Sequence, residues 1–227
     1  MRKRTQRSMD ASNVKHSVYT EIREAIIHAR LEPGQRLSEA DLAVKMNVSR
    51  TPVREAFISL SKEGLVEILP QRGTFVTKID LEDVRQSTFI RESLEISVLG
   101  ELIKMITPEQ IARLKENVAE QEKSHQRNDY IRFYELDEEF HRSLAEMSGH
   151  GKVWDIIKEI KVQMDRVRLL SLPIPSRIAE LIRQHFAIIQ ALEERNADKA
   201  RETMVLHLQY VTKPSEVQEK YKDYFIT

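Results

Sequence analysis

The sequence predicts a mainly α protein in two parts: a small helical domain closed by a β-hairpin, then a larger antiparallel all-α bundle. Three observations predict it. Only 6 glycines and 7 prolines interrupt 227 residues, and Leu, Ile, Glu, Lys and Arg are abundant, which disfavours a β-sandwich. Apolar residues recur at helical spacing along most of the chain. The one β-like stretch is short and lies between Val66 and Thr77.

The elements follow in order. Residues 1–13 are polar, basic and aperiodic, and read as a flexible arm. From Val14 to about Arg30, the residues Val18, Ile22, Ala25, Ile26 and Ala29 recur at helical spacing, and Pro33-Gly34 breaks the run. Ser38 caps a second helix, with Asp41 at the capping-box position and Leu42, Ala43 and Met46 buried. Asn47-Val48 turns the chain. Ser49 caps a third helix, whose inner face is Val53, Ala56, Phe57 and Leu60. Val66–Leu69 and Thr74–Thr77 form a hairpin around Pro70-Gln71-Arg72-Gly73, with Gly73 supplying unusual dihedrals at the tip. Helices joined by a tight turn and followed by a hairpin make a winged helix-turn-helix over residues 14–78.

After Lys78 no strand signal appears. Six helices are expected over residues 79–213: Asp80 to about Met105, Thr107 to about Gln126, about Asp129 to Met147, about Lys152 to Leu170, Ser176 to about Arg195, and Ala197 to about Val211. Thr107-Pro108-Glu109-Gln110 is a cap, a proline at the first helical position and a reciprocal Gln. Gly149 ends the third of these helices, and Pro173 and Pro175 force a loop. Short connections make an antiparallel bundle. In the first helix Val84, Phe89, Ile90, Leu94 and Val98 are the apolar set, and Trp154 reads as core. Residues 214–227 form a polar tail that the pattern does not place.

Charge separates the two parts. The chain carries 36 Lys+Arg and 36 Asp+Glu. Residues 1–78 hold 14 basic and 9 acidic side chains, a balance of +5, and the remainder holds 22 and 27, a balance of −5. Zero net charge therefore does not exclude nucleic acid. Arg50, Thr51 and Arg54 lie at the start of the third helix, away from its apolar face, where exposed backbone N–H groups suit phosphate and arginine suits guanine. Pro52 is tolerated in that first turn. Arg72 at the hairpin tip is placed to reach a groove or a phosphate.

There is no cysteine, which excludes disulfides and thiolate metal sites and fits a reducing, cytoplasmic setting. No apolar run is long enough to cross a membrane, and the basic start lacks the apolar segment of a secretory signal. The bundle holds a polar constellation. Asp137 and His141, four apart, share a helix face with Tyr134 and Leu144. His185 sits among Leu181, Ile182, Ile188 and Ile189, and His207 among Met204, Leu208 and Val211. Three inward imidazoles and a carboxylate suit Zn²⁺ or Ni²⁺.

The run LSEADLAVKMNVSRTPVREAFISLSKEGLVEILPQRGTFV closely resembles the DNA-binding domain of GntR-family transcription regulators. The resemblance implies that Ser49, Arg50, Thr51 and Arg54 contact operator DNA and that Arg72 and Gly73 form the wing contact. Ala40 stands where some relatives carry an arginine, so a contact from that position is missing. The segments DEEFH (Asp137–His141), QHFAIIQAL around His185 and MVLHL around His207 resemble the FCD effector domain of the FadR subfamily. In such domains the matching Asp and three His bind one metal ion that helps hold a small carboxylate. Arg91 and Arg166 or Arg168 match arginines that face the cavity there. Buried arginine pairs bidentately with carboxylate; the alternative for Arg91 is an ion pair with Glu95, four residues on.

The implied function is a homodimeric DNA-binding regulator, expected to be a repressor, whose operator affinity responds to an organic acid held at the metal site. Two alternatives stand beside it. In one, the metal ion itself is the effector. In the other, the His₃Asp site activates water as an enzyme. Against the enzyme, Glu138 and Glu139 point away from Asp137's face, and the N-terminal domain would have no task.

Overall fold

Regular elements follow the local chemistry closely in the first part of the chain. The computed structural model describes residues 2–174, 176–211 and 215–226. Pro175 and Pro214, named above as a loop residue and the head of the tail, lie outside the described residues. Two units form: residues 1–80 together with 220–227, and residues 81–219.

In the first unit, helix α1 spans Arg2–Ile27. The backbone over residues 2–13, expected from the sequence to form an aperiodic arm, is therefore helical, and Arg, Lys, Gln, Met and Ala favour that state. Helix α2 covers Glu39–Lys45, and Ser38 Oγ accepts from the Asp41 backbone N–H at 3.2 Å. Asn47, in the left-handed region (φ 53°), turns the chain into α3, Arg50–Lys62, whose buried face is the expected Val53, Ala56, Phe57 and Leu60. Ser49 holds the N-cap position, but its hydroxyl makes no capping hydrogen bond.

The hairpin is β2 (Val66–Leu69) and β3 (Gly73–Val76). Its turn puts Gln71 at φ 60°, and Arg72 N–H closes onto the Leu69 carbonyl at 3.1 Å. Pro before a left-handed residue is the type II pattern, so Gln71 shares with Gly73 the dihedral burden expected of Gly73 alone. A further short strand, β1 (Arg36–Leu37), pairs with β3, giving an antiparallel sheet in the order β1-β3-β2. Two residues are too few for a periodic signal.

The tail is not loose. Phe225 is buried and forms a parallel bridge with Ile79, through Ile79 N–H to the Tyr224 carbonyl (2.8 Å) and Ile226 N–H to the Ile79 carbonyl (3.0 Å). The first unit is therefore built from two separate stretches of chain.

The second unit contains α4 (Leu81–Met105), α5 (Pro108–Gln126), α6 (Tyr130–Met147), α7 (Gly151–Ile160), α8 (Val162–Ser171), α9 (Arg177–Glu193) and α10 (Ala197–Val211). Helix α11 (Ser215–Lys220) follows. The Thr107 capping box forms as expected. The single helix expected over Lys152–Leu170 is two, broken at Lys161. The break frees the Ile160 carbonyl, which accepts instead from Ser87 Oγ at 2.8 Å. Helix α9 packs on α5 and α10, and α4 packs on α6, α8 and α10. The face α4 buries is Val84, Ser87, Arg91, Glu95, Val98, Leu99 and Leu102, while Phe89 and Ile90 are exposed. The apolar set expected for that helix is thus only partly its buried face. Trp154 is core, as its sequence setting implies.

Candidate nucleic-acid interface and metal centre

Two sites follow from these elements, one on the surface of the first unit and one inside the second. At the first, packing of Val53, Ala56, Phe57 and Leu60 turns the opposite side of α3 outward. Ser49, Arg50, Thr51 and Arg54 are all exposed. Because Ser49 does not cap, the first N–H groups of α3 lack that partner and face outward with the positive end of the helix dipole. Arg54 is held by the carboxylate of Glu39 on α2, through Nε (3.0 Å) and Nη2 (2.9 Å). On the hairpin, Arg72 is exposed at the tip. Gly73 has φ +112°, and a Cβ there would lie 3.0 Å from Arg36 Nε. Gly73 is thus favoured by its backbone conformation, and a side chain there would crowd Arg36, a wing-side arginine that the sequence pattern does not single out.

The second site lies where α6, α9 and α10 meet. Asp137, His141, His185 and His207 are all buried, and one ligand atom from each falls within 4.8 Å of the others. The imidazoles are aimed. His141 Nδ1 lies 2.5 Å from Glu95 Oε2, His185 Nδ1 lies 2.8 Å from Gln121 Oε1, and His207 Nδ1 lies 3.0 Å from Gln184 Oε1. Oxygen partners select the tautomer with the proton on Nδ1, leaving a lone pair on each Nε2. His141 Nε2 and His207 Nε2 are only 3.1 Å apart. Two lone pairs at that distance repel unless a cation lies against both. His185 Nε2 and Asp137 Oδ1 are buried with no hydrogen-bond partner and sit 3.5 Å from each other. Buried polar atoms are normally satisfied, so the four converging atoms fit a divalent cation.

The electrostatics agree. Burial pushes His185 down to about 3, and burial with the neighbouring imidazoles holds His207 well below its ordinary value, so both rings are neutral. Burial works to raise Asp137, but nearby positive charge, led by Arg168, outweighs it and keeps the carboxylate ionised.

Arg168 is the partner of Asp137, and it also meets Glu138 (2.6 Å) and Asp165 (3.1 Å). That geometry makes it a holder of a metal-ligand candidate, a different task from receiving an effector. Lys161, at the helix break, joins the same network through Glu138 (2.6 Å) and Asp165 (2.5 Å). Arg91 does pair with Glu95 (2.5 Å), yet its Nη2 is buried without a partner. Arg166 is buried, donates to Gln163 Oε1 at 2.9 Å, and is pushed down to about 10 by burial. Among the described residues of the bundle, Arg91, Lys161, Arg166, Arg168 and Arg177 are buried cations, against the buried carboxylates Glu95, Asp137 and Asp165 and the partly buried Glu138.

The sequence pattern does not single out Glu95, Gln121 or Gln184 as site residues. Gln121 had a usable signal. It is a polar residue on the stripe Leu114, Val118, Gln121, Ser124, all buried on α5, and a fully buried Gln needs a partner.

Residues 15–76 match the domain described as "Bacterial regulatory proteins, gntR family", and residues 86–210 match the FCD domain. The chain belongs to the GntR family. It is a DNA-binding transcription regulator of that family with an FCD domain, and not an enzyme. Among GntR relatives, it is 38% identical over 213 residues to the "HTH-type transcriptional repressor RspR" of Escherichia coli (strain K12), covering 93% of each chain. It is 28% identical over 177 residues to the "Nta operon transcriptional regulator" of Aminobacter aminovorans, covering 78% of this chain and 82% of that one. The fold resembles E. coli McbR/YncC, with TM-score 0.73 and 20% identity over 92% of this chain and 98% of the other. It also resembles a putative GntR regulator from Rhodococcus sp. RHA1, with TM-score 0.69 and 23% identity over 91% and 98%. No helix among the described residues is long and apolar enough to cross a membrane.

Proposed function

We propose that this GntR regulator is a repressor of the FadR subfamily. It acts in the cytoplasm as a homodimer, and its grip on operator DNA is set by a small organic acid at a divalent metal centre. The observation that carries the reading is the buried convergence of Asp137 Oδ1 with three imidazole nitrogens whose opposite nitrogens are each tied to Glu95, Gln121 or Gln184. Such a set, nitrogen and oxygen without sulfur, suits Zn²⁺ or Ni²⁺. Bound there, the ion would supply a fixed positive charge to which a carboxylate can attach.

The chain's own residues do the rest. Gln121, Gln184 and Glu95 hold the rings, Arg168 holds Asp137, and the unpartnered Nη2 of Arg91 offers a donor to an anion. That buried, unsatisfied donor supports an acid as effector rather than a basic molecule. At the DNA, Ser49, Arg50, Thr51 and Arg54 would enter the major groove, and Arg72 and Gly73 would present the wing. Two copies would place two such helices about 34 Å apart on a near-palindromic operator. The coupling requires an acid with different affinity for the DNA-bound and released arrangements.

Native mass spectrometry of the purified wild type, His185→Ala and Arg50→Ala, paired with operator binding at fixed salt, tests this. A dimer with one divalent ion per chain is expected for the wild type. His185→Ala should lose the ion, and Arg50→Ala should keep it while losing specific operator binding. Release of operator by small hydroxy acids should need the ion. Retention of the ion by His185→Ala sinks the metal reading. A response to metal alone, without any acid, makes the ion the effector.

A further inference from the structure

The Glu39–Arg54 pair joins the first turn of α2 to the recognition face of α3. Arg54 is two-thirds exposed (66%), whereas Glu39 is largely covered (29%). An exposed arginine ordinarily samples many rotamers. Here two hydrogen bonds to one carboxylate fix the plane of the fork. A guanidinium has five N–H donors. Glu39 engages the side of the fork, through Nε and Nη2, which leaves both Nη1 hydrogens and one on Nη2. Those remaining donors form the end of the fork, the edge that can pair with O6 and N7 of guanine.

We propose that Glu39 is a positioning residue for base reading: by gripping the side of Arg54 it presents the free end of the guanidinium to a guanine in the major groove. This rests on the assignment of α3 as the recognition helix under Proposed function. A carboxylate on a DNA-facing surface opposes phosphate, so it weakens sequence-independent binding. Glu39 thus trades general affinity for discrimination, and the two effects can be separated by measurement.

The test uses the full chain and duplex sites selected by the wild type from a randomised pool. Preference at every position is then measured for Arg54→Ala, Glu39→Gln and Glu39→Ala. Arg54→Ala should lose preference for guanine at one position in each half-site. Glu39→Gln should blur that same position, with discrimination falling about tenfold, in line with the worth of a bidentate arginine–guanine pair. Its affinity for random duplex should hold or rise, and its salt dependence should not fall. Unchanged circular dichroism of Glu39→Gln excludes a folding defect, because a folding defect would weaken all sequences together. Guanine preference retained in both Glu39 variants but lost in Arg54→Ala overturns the positioning role. An unchanged profile in Arg54→Ala overturns the base contact itself, and this proposal with it.

Discussion

The two units use arginine in opposite ways. In the DNA-reading unit Arg50, Arg54 and Arg72 are exposed, and their charge is directed outward. In the bundle Arg91, Arg166 and Arg168 are 1–4% exposed, and Asp137, Glu95, Glu138 and Asp165 surround two of them. An exposed charge is screened and costs little to keep or lose. A buried one must be matched, and removing its partner leaves a charge with no solvent. The contrast teaches that residue type alone does not assign a role. Arg168 has the residue type of a ligand receiver and sits in the geometry of a structural clamp.

The sharpest way to break this comparison is to remove a charge of the same kind from each side. Arg168→Met strips the cation from Asp137 and one of two partners from Glu138 and Asp165, and should cost the bundle about 3–5 kcal/mol. Arg54→Met should leave the unfolding midpoint where it was. Denaturant unfolding of both variants reads the difference, and equal losses would show that burial is not what separates the two sites.

A second, comparable effect tests whether the units are independent. Phe225→Ala removes a buried ring from the DNA-reading unit and should destabilise that unit by about 3 kcal/mol. The metal content of the bundle, read by native mass spectrometry, should not change. A loss of metal in this variant would mean that the segment after α11 supports the bundle instead.

The smallest effect sharpens the metal centre. Gln121→Leu keeps volume but removes the partner of His185 Nδ1, and should lower metal affinity 10–100-fold. Competition with a chelator measures it, and Gln190→Leu, on the exposed face of α9, serves as the control expected to leave affinity alone.

Where local chemistry decides the outcome, the sequence was readable. Ser38, Thr107-Pro108 and the Val53–Leu60 stripe specify their helices from within, and the Asp137–His141 spacing put two ligand candidates on one face. The readings that needed correction depend on partners distant in sequence. The break at Lys161 is supported by Ser87, 74 residues earlier in the chain. Strand β1 exists only because β3 is beside it. The buried face of α4 carries Arg91 and Glu95 where hydropathy favours Phe89 and Ile90, because α6 and α8 bring His141 and Met164 to those charges. Gln121 stands out as a polar residue on a buried stripe, but its partner, like that of Gln184, is named only when a histidine arrives opposite it.

The docking of Phe225 against Ile79 also has a consequence in time. Domains generally fold as they emerge, N-terminal first. Here the DNA-reading unit has most of its helices early, yet the residue that bridges to Ile79 is made only after the whole bundle has been translated. A nascent chain, or one cut short after α10, would carry all three helices and the hairpin of the first unit but lack the Phe225–Ile79 bridge. Completion of the first unit is thereby tied to synthesis of the bundle that precedes its last segment.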